Sequence, residues 1–157
     1  KSYSSSSLKA SSLVVGGIVG YMQGINMEIK NSYFSGSIKG TTFLGGIAGY
    51  SLFSQISNSH ANFSFADSVD LSAPLTNNTG GLVGASDILP IASFWNTEKS
   101  TLDKSVFITD VNNWVLETVT VGGLNSQEMQ DQSHFLDNGW NSDVWDFSGP
   151  FPQLKNL

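Results

Sequence analysis

Cysteine is absent from the 157 residues. That removes thiol catalysis, disulfide cross-links and Cys-type zinc sites together, and it suits either a reducing cytosol or a bacterial cell surface. Arginine is absent too: all seven basic residues are lysines, set against thirteen acids for a net charge of −6. The chain therefore lacks the basic face and guanidinium forks that usually grip phosphate, and nucleic acids and anionic membranes are poor partners for it. The imbalance is local. Residues 1–86 hold four lysines against Glu28, Asp67 and Asp70, whereas 87–157 hold three lysines against ten acids. No apolar run approaches the roughly 18 to 20 residues that span a bilayer, so no membrane insertion is expected of this stretch. The start, Lys1-Ser2-Tyr3-Ser4, has neither an initiator Met nor a signal-peptide core. Ser2-Tyr3 instead matches the middle of a repeat described below, which reads as part of a longer chain.

What the sequence does have is glycine, placed periodically. Gly16-Gly17-Ile18-Val19-Gly20, Gly45-Gly46-Ile47-Ala48-Gly49 and Gly80-Gly81-Leu82-Val83-Gly84 recur at spacings of 29 and 35 residues. Each is followed by a partner element: Asn31-Ser32-Tyr33, Asn58-Ser59-His60 and Ser93-Phe94-Trp95. Recurrence of two short elements in fixed order is the mark of a repeat architecture. The elements are β-branched, apolar on both parities and too glycine-rich for a helix, so they read as strands covered on both sides. The glycine pairs read as one tight corner repeated in successive coils. The expected fold is all-β: a parallel β-solenoid over residues 1–97, followed by a C-terminal segment, 98–157, of hairpin, short helix and aromatic cap.

In that stack Ile18, Ile47 and Leu82 form one core column, and Val19, Ala48 and Val83 another. Ser2, Ser32, Ser59 and Ser93 line up beside Tyr3, Tyr33, His60 and Phe94. Ile91 lies one residue closer to its serine than Ile29 or Ile56 does, which leaves the third register open. Residues Asp67 to Asn78 read as a loop inserted at a coil corner and are the first guess for contact specificity. Ser105 to Thr109 and Trp114 to Val121 read as a hairpin around Asp110-Val111-Asn112-Asn113. Ser126 as N-cap, the apolar spacing of Met129, Phe135 and Leu136, and the stop at Asp137-Asn138-Gly139 predict one helix over about 127–136. Trp140, Trp145, Phe147 and Phe151 read as a plug for the open end of the stack; a sugar-stacking platform is the other reading.

Catalytic and metal signals are sparse. His60 and His134 lie in different elements, with no His-Glu-x-x-His pattern, and no Gly-x-Ser-x-Gly elbow is present. His60 reads as a rung residue and His134 as a polar-face helix residue. Asp67 and Asp70 lie in a loop away from the other acids, so no carboxylate pair for glycoside cleavage can be named. Asp137, Asn138, Asn141, Asp143 and Asp146 have the composition of a calcium site without its spacing. The sequons at Asn62 and Asn77 matter only in a eukaryotic secretory pathway. No enzyme activity, catalytic residue, metal ligand or cofactor is assigned.

The Gly-Gly-(Ile/Leu)-(Val/Ala)-Gly and Asn-Ser-Tyr elements resemble the GLUG-motif repeats of bacterial surface proteins. The segments Ser93 to Glu98, Gly123 to Met129, Phe135 to Trp145 and Pro150 to Leu154 resemble the terminal segment that follows such repeats in adhesin-like and filamentous-haemagglutinin-like proteins. The resemblance implies a non-catalytic structural or adhesive module of a secreted or surface-anchored bacterial protein. Its partner would be a protein or glycan on a host or neighbouring cell. The alternatives it leaves are a substrate-orienting part of a surface protease and a carbohydrate-binding module, with mutation of Trp95 and Trp140 as the discriminating test of the latter. The sequence specifies neither the ligand nor the oligomeric state.

Overall fold

The computed structural model describes residues 1–10, 13–66, 78–109, 115–119 and 122–155. It is a parallel β-solenoid of about three turns with four strands to a coil. Coil 1 runs β1 (Ser2–Ser4), β2 (Ser7–Lys9), β3 (Val14–Gly16) and β4 (Val19–Lys30). Coil 2 repeats it as β5 (Ser32–Phe34), β6 (Ser37–Lys39), β7 (Phe43–Gly45) and β8 (Ala48–Ser57). Coil 3 is β9 (His60–Ala61), β10 (Ser64–Phe65), β11 (Asn78–Gly80) and β12 (Val83–Ser86). Corresponding strands pair in parallel, giving four sheets, A to D, that form the four sides of the coil.

The register is the one the repeats predict. Gly16 pairs with Gly45 and Gly45 with Gly80, Val19 with Ala48 and Ala48 with Val83. In sheet A, Tyr3, Tyr33, His60 and Phe94 lie in one row. The third register, open in the sequence, resolves because Ile91 occupies the place of Ser57 rather than that of Ile56. The shortened segment thus absorbs its missing residue before the corner, and Ser93 stays in line.

The Asn-Ser pair is a corner device. Asn31, Asn58 and Ala92 all adopt left-handed backbone, φ 49°, 46° and 44°, turning sheet D into sheet A. Asparagine tolerates this conformation better than alanine does. The serine that follows bridges coils. Ser32, Ser59 and Ser93 each accept an N–H from the ladder serine of the preceding coil at 3.2, 3.2 and 3.3 Å. Each also donates its hydroxyl to the carbonyl two residues earlier. Ser59 is fully buried, so Ser59→Ala strands the Ser32 N–H without a partner. A loss of about 1–3 kcal/mol in urea unfolding is expected; an unchanged midpoint would remove the ladder from the account.

The coil interior is filled by residues that alternate with these. Phe34, Ile38, Leu44, Ile47, Phe63, Leu82 and Trp95 form one continuous core, each worth about 1.5–3 kcal/mol or more on burial. Coil 4 departs from the pattern after β13 (Phe94–Asn96). Asn96 accepts the Lys99 N–H and starts α1 (Thr97–Ser100), a short helix the repeat pattern does not predict, where sheet B would otherwise gain a strand. The chain then returns to sheet D as β14 (Val106–Thr109), turns back antiparallel as β15 (Val115–Val119), and closes sheet A with β16 (Gly123–Leu124). The hairpin is therefore where the alternation placed it.

The helix predicted over 127–136 divides in two: a 3-10 turn at Glu128–Gln130 and α2 (Gln132–Leu136). Two cap signals compete within a few residues. Asn125 Oδ1 accepts the Gln127 and Glu128 N–H groups while Glu128 returns a bond to the Asn125 N–H. Asp131, extended at φ −82° and ψ 105°, then caps α2 through the Ser133 N–H. Ser126 is not the cap, because its hydroxyl receives Asn96 and its N–H binds Glu98. The chain ends in a two-stranded antiparallel ribbon, β17 (Trp145–Asp146) and β18 (Gln153–Leu154).

Candidate functional site

Sheet A has two apolar faces, and the acidic tail covers the outer one. Tyr33, His60 and Phe94 point outward while Phe34, Ala61 and Trp95 point into the coil. Tyr33 stacks on His60 at 5.1 Å and 2° between planes. Trp145 packs at 5.6 Å from His60 and 6.2 Å from Tyr33, and Trp140 at 5.9 Å from Phe94 and 4.4 Å from Trp145. The aromatic tail is thus no plug over the last rung, as the sequence led us to expect; it lies along the flank. The reason is in the strands: a row of tyrosine, histidine and phenylalanine beside a second apolar row needs cover, whereas the coil interior beside Trp95 is already packed with Leu102 and Val106. Trp140 and Trp145 are buried in this packing and Trp95 in the coil interior, so none of the three offers an exposed ring face for a sugar.

His60 sits at the centre of this flank, fully buried. Its Nε2 donates to the Pro152 carbonyl at 2.6 Å, which fixes the proton on that nitrogen, and Nδ1 has no partner. Burial among the rings holds its pKa down to about 4 from 6.5, the Pro152 carbonyl pulling weakly the other way. The folded chain therefore keeps His60 neutral where the unfolded chain would protonate it. Stability is full above about pH 6.5 and falls as the pH drops towards 4, by an amount on the order of 3 kcal/mol. Glu98, Asp131 and Asp146 are held below the usual carboxylate range by bonds from Ser126, Ser133 and Ser148. Their contributions are lost only at still lower pH. Urea midpoints measured from pH 7.5 to 4.5 are expected to fall, and to flatten in His60→Phe; an equal slope in both proteins would contradict the assignment.

The remaining candidates separate rather than converge. His134 is half-buried on α2, in a different element from His60. Asn138 donates to the His134 carbonyl, Asn141 accepts the Asp143 N–H, and Asp146 accepts the Ser148 N–H, so each serves its own turn. Among the described residues no three acidic or histidine side chains group as metal ligands. Asn62 is buried and unsuited to carry a glycan in the folded chain. Of the insertion read over Asp67 to Asn78, Asn78 is the first residue of β11 and so belongs to a strand and not the loop, while residues 67–77, Asp67, Asp70 and Asn77 among them, lie outside the described residues, as does the hairpin tip 110–114.

The sequence missed a surface feature at the end of sheet D. Ile25, Phe53, Ile88 and Leu89 are exposed apolar side chains, one group from each coil, Ile25 at 81 %. Cross-coil bonds place the groups side by side. Ser54 Oγ reaches the Gly24 carbonyl, the Phe53 N–H donates to the Asp87 carboxylate at 2.9 and 3.2 Å, and Gln55 Nε2 reaches the Leu89 carbonyl. Phe53 is held at φ 54°, where a bulky residue costs about 1–2 kcal/mol. A strained, exposed aromatic pinned by a carboxylate is the kind of feature kept for contact rather than for folding. Only the Leu52-Phe53 pair hinted at it, since one of two adjacent strand residues must face outward.

Comparison of the chain with family models, curated proteins and solved structures gives no match.

Proposed function

We propose that this chain is a non-catalytic structural and adhesive module of a large secreted or cell-surface bacterial protein, holding a protein or glycan on a host or neighbouring cell. The observation that carries the reading is the apolar ridge of Ile25, Phe53, Ile88 and Leu89. It repeats along the stack, so a partner meets several weak contacts at the coil spacing and binds by their sum. Three further features support it. The repeats resemble surface-protein repeats, the hydroxyls of Ser32, Ser59 and Ser93 each donate to the carbonyl two residues earlier and accept an N–H from the preceding coil, and the buried histidine is committed to a carbonyl.

The test uses beads coated with the chain and washed over a panel of epithelial and bacterial cells under flow. Wild-type beads are expected to be retained on at least one cell type. Phe53→Gly is expected to lower retention about tenfold while its melting temperature stays level or rises, because glycine relieves the left-handed backbone. Absence of wild-type retention, or retention unchanged by Phe53→Gly, would overturn the reading.

A further inference from the structure

The segment that covers sheet A is bonded mainly to itself. Within residues 127–155 the Trp140 N–H donates to the Phe135 carbonyl, the Trp145 N–H to that of Asn141 and the Lys155 N–H to that of Val144. Its two strands, β17 and β18, form a separate ribbon and join none of the coil sheets. The segment is anchored at Ser126, which Asn96 and Glu98 hold to coil 4. Beyond that anchor, among the described residues, two ring nitrogens and one lysine bond it to the coils. His60 Nε2 donates to the Pro152 carbonyl at 2.6 Å, Trp140 Nε1 to the Ala92 carbonyl at 2.7 Å, and Lys1 Nζ to the Lys155 carbonyl at 3.2 Å. The rest of the attachment is ring against ring. Lifting the segment therefore breaks no rung of the coil ladder.

The contact is centred on a group that can change its charge. Tyr33, Trp140, Trp145 and Phe151 surround the His60 ring with centroids 5.1, 6.1, 5.6 and 5.7 Å away. Tyr33 is the titratable member of that set, and burial pushes its pKa up, so it stays neutral in acid. Phe94 on β13, and Gln153 and Leu154 on β18, carry no charge. Asp146 follows Trp145 on β17 but takes the Ser148 N–H, and Asp131, Asp137 and Asp143 are exposed. No carboxylate is thus placed to offset a charge on His60. Its Nδ1 has no partner, and a protonated imidazole donates from both nitrogens. The second proton finds an acceptor only in water.

We infer that residues 127–155 are an acid-released strap: protonation of His60 lifts them from the outer face of sheet A and bares the Tyr33, His60 and Phe94 row while the coils stay wound. Such a strap is the low-stability unit of the fold, opening below the free energy of global unfolding. Off the coil, a two-residue ribbon and single-turn helices do not persist in water, so their amides exchange. His60 titrates at about 4 under the strap and near 6.5 in water, so the released population rises about a hundredfold between pH 7 and pH 4. Unwinding of the coils from the released state does not depend on His60, which is by then already solvated. The inference stands independently of the adhesive reading, since it concerns the flank of the stack and not its ridge.

Hydrogen exchange at pH 7 and pH 4, corrected for the intrinsic pH dependence of exchange, tests it on the full chain. The Trp140, Trp145 and Lys155 amides are expected to lose about a hundredfold in protection at pH 4. Amides of β8 and β12 should remain at least tenfold better protected than these at the same pH. His60→Gln keeps a donor for the Pro152 carbonyl and does not titrate, so its strap amides are expected to hold their protection across the range. His60→Phe, without the donor, should give the same flat profile. Equal protection of strap and coil amides at pH 4 would overturn the inference, because the chain would then open as one unit. So would a strap insensitive to pH in the wild type, or an equal loss in either variant.

Discussion

Gly45→Ala is expected to abolish folding at ordinary temperature, or to lower stability by about 4 kcal/mol or more. A β-carbon at Gly45 would fall inside the Ala48 carbonyl oxygen, and would lie 2.7 Å from the Gly84 nitrogen and 2.8 Å from the Val83 α-carbon. All three are backbone atoms of strands held on both sides, so none can swing away as a side-chain end could. Gly20→Ala supplies the contrast. It belongs to the same motif in coil 1, yet the nearest atom to its β-carbon is the Val14 carbonyl oxygen at 3.4 Å, and a change within about 1 kcal/mol is expected. Circular dichroism and urea melts read both variants. Equal tolerance at the two positions would mean that the glycine corners do not stack as described.

Trp145→Ala is expected to cost about 3–5 kcal/mol, as for other fully buried tryptophans cut back to alanine. The more telling effect is on its neighbour. Trp145 packs against His60, so loss of the indole admits water to the ring, and the pKa should rise from about 4 back towards 6.5. A histidine NMR titration measures it directly. If Trp145 plugged the last rung instead, His60 would titrate as before, and that outcome would contradict the flank position. Proteolysis adds a second reading, with cleavage between residues 125 and 155 accelerating in the variant while the coil amides stay protected.

The coils were legible because repetition reports register. Three glycine doublets and three Ser-aromatic elements in fixed order fix which residue stands over which, and the serine ladder and core columns follow. Local competition was harder to read. Ser126 and Asn125 are both acceptable caps, and the choice fell to Asn125 because Asn96 and Glu98, brought in by the fourth coil, occupy Ser126. The flank position of the tail could have been inferred. Tyr33-Phe34 and Phe94-Trp95 place large apolar side chains on both faces of sheet A, and a face so built does not stand in water. What hid it was the assumption that aromatic cover belongs at the end of a solenoid. The ridge had only the Leu52-Phe53 pair as a signal, since the positive φ of Phe53 lies inside β8 and its N–H bonds Asp87 of the next coil, neither of which the local sequence spells out.

The stacking register itself is open to one decisive measurement, made simple by the absence of native cysteine. Ser7 and Ser37 face each other across coils 1 and 2 with hydroxyl oxygens 2.8 Å apart. The double variant Ser7→Cys/Ser37→Cys is expected to close an intramolecular disulfide under mild oxidation of the folded protein, with its circular dichroism unchanged. Ser7→Cys/Lys39→Cys, two residues out of register, should remain reduced under the same conditions. Failure of the first pair to close without denaturant, or equal closure of both, would contradict a parallel stack in this register.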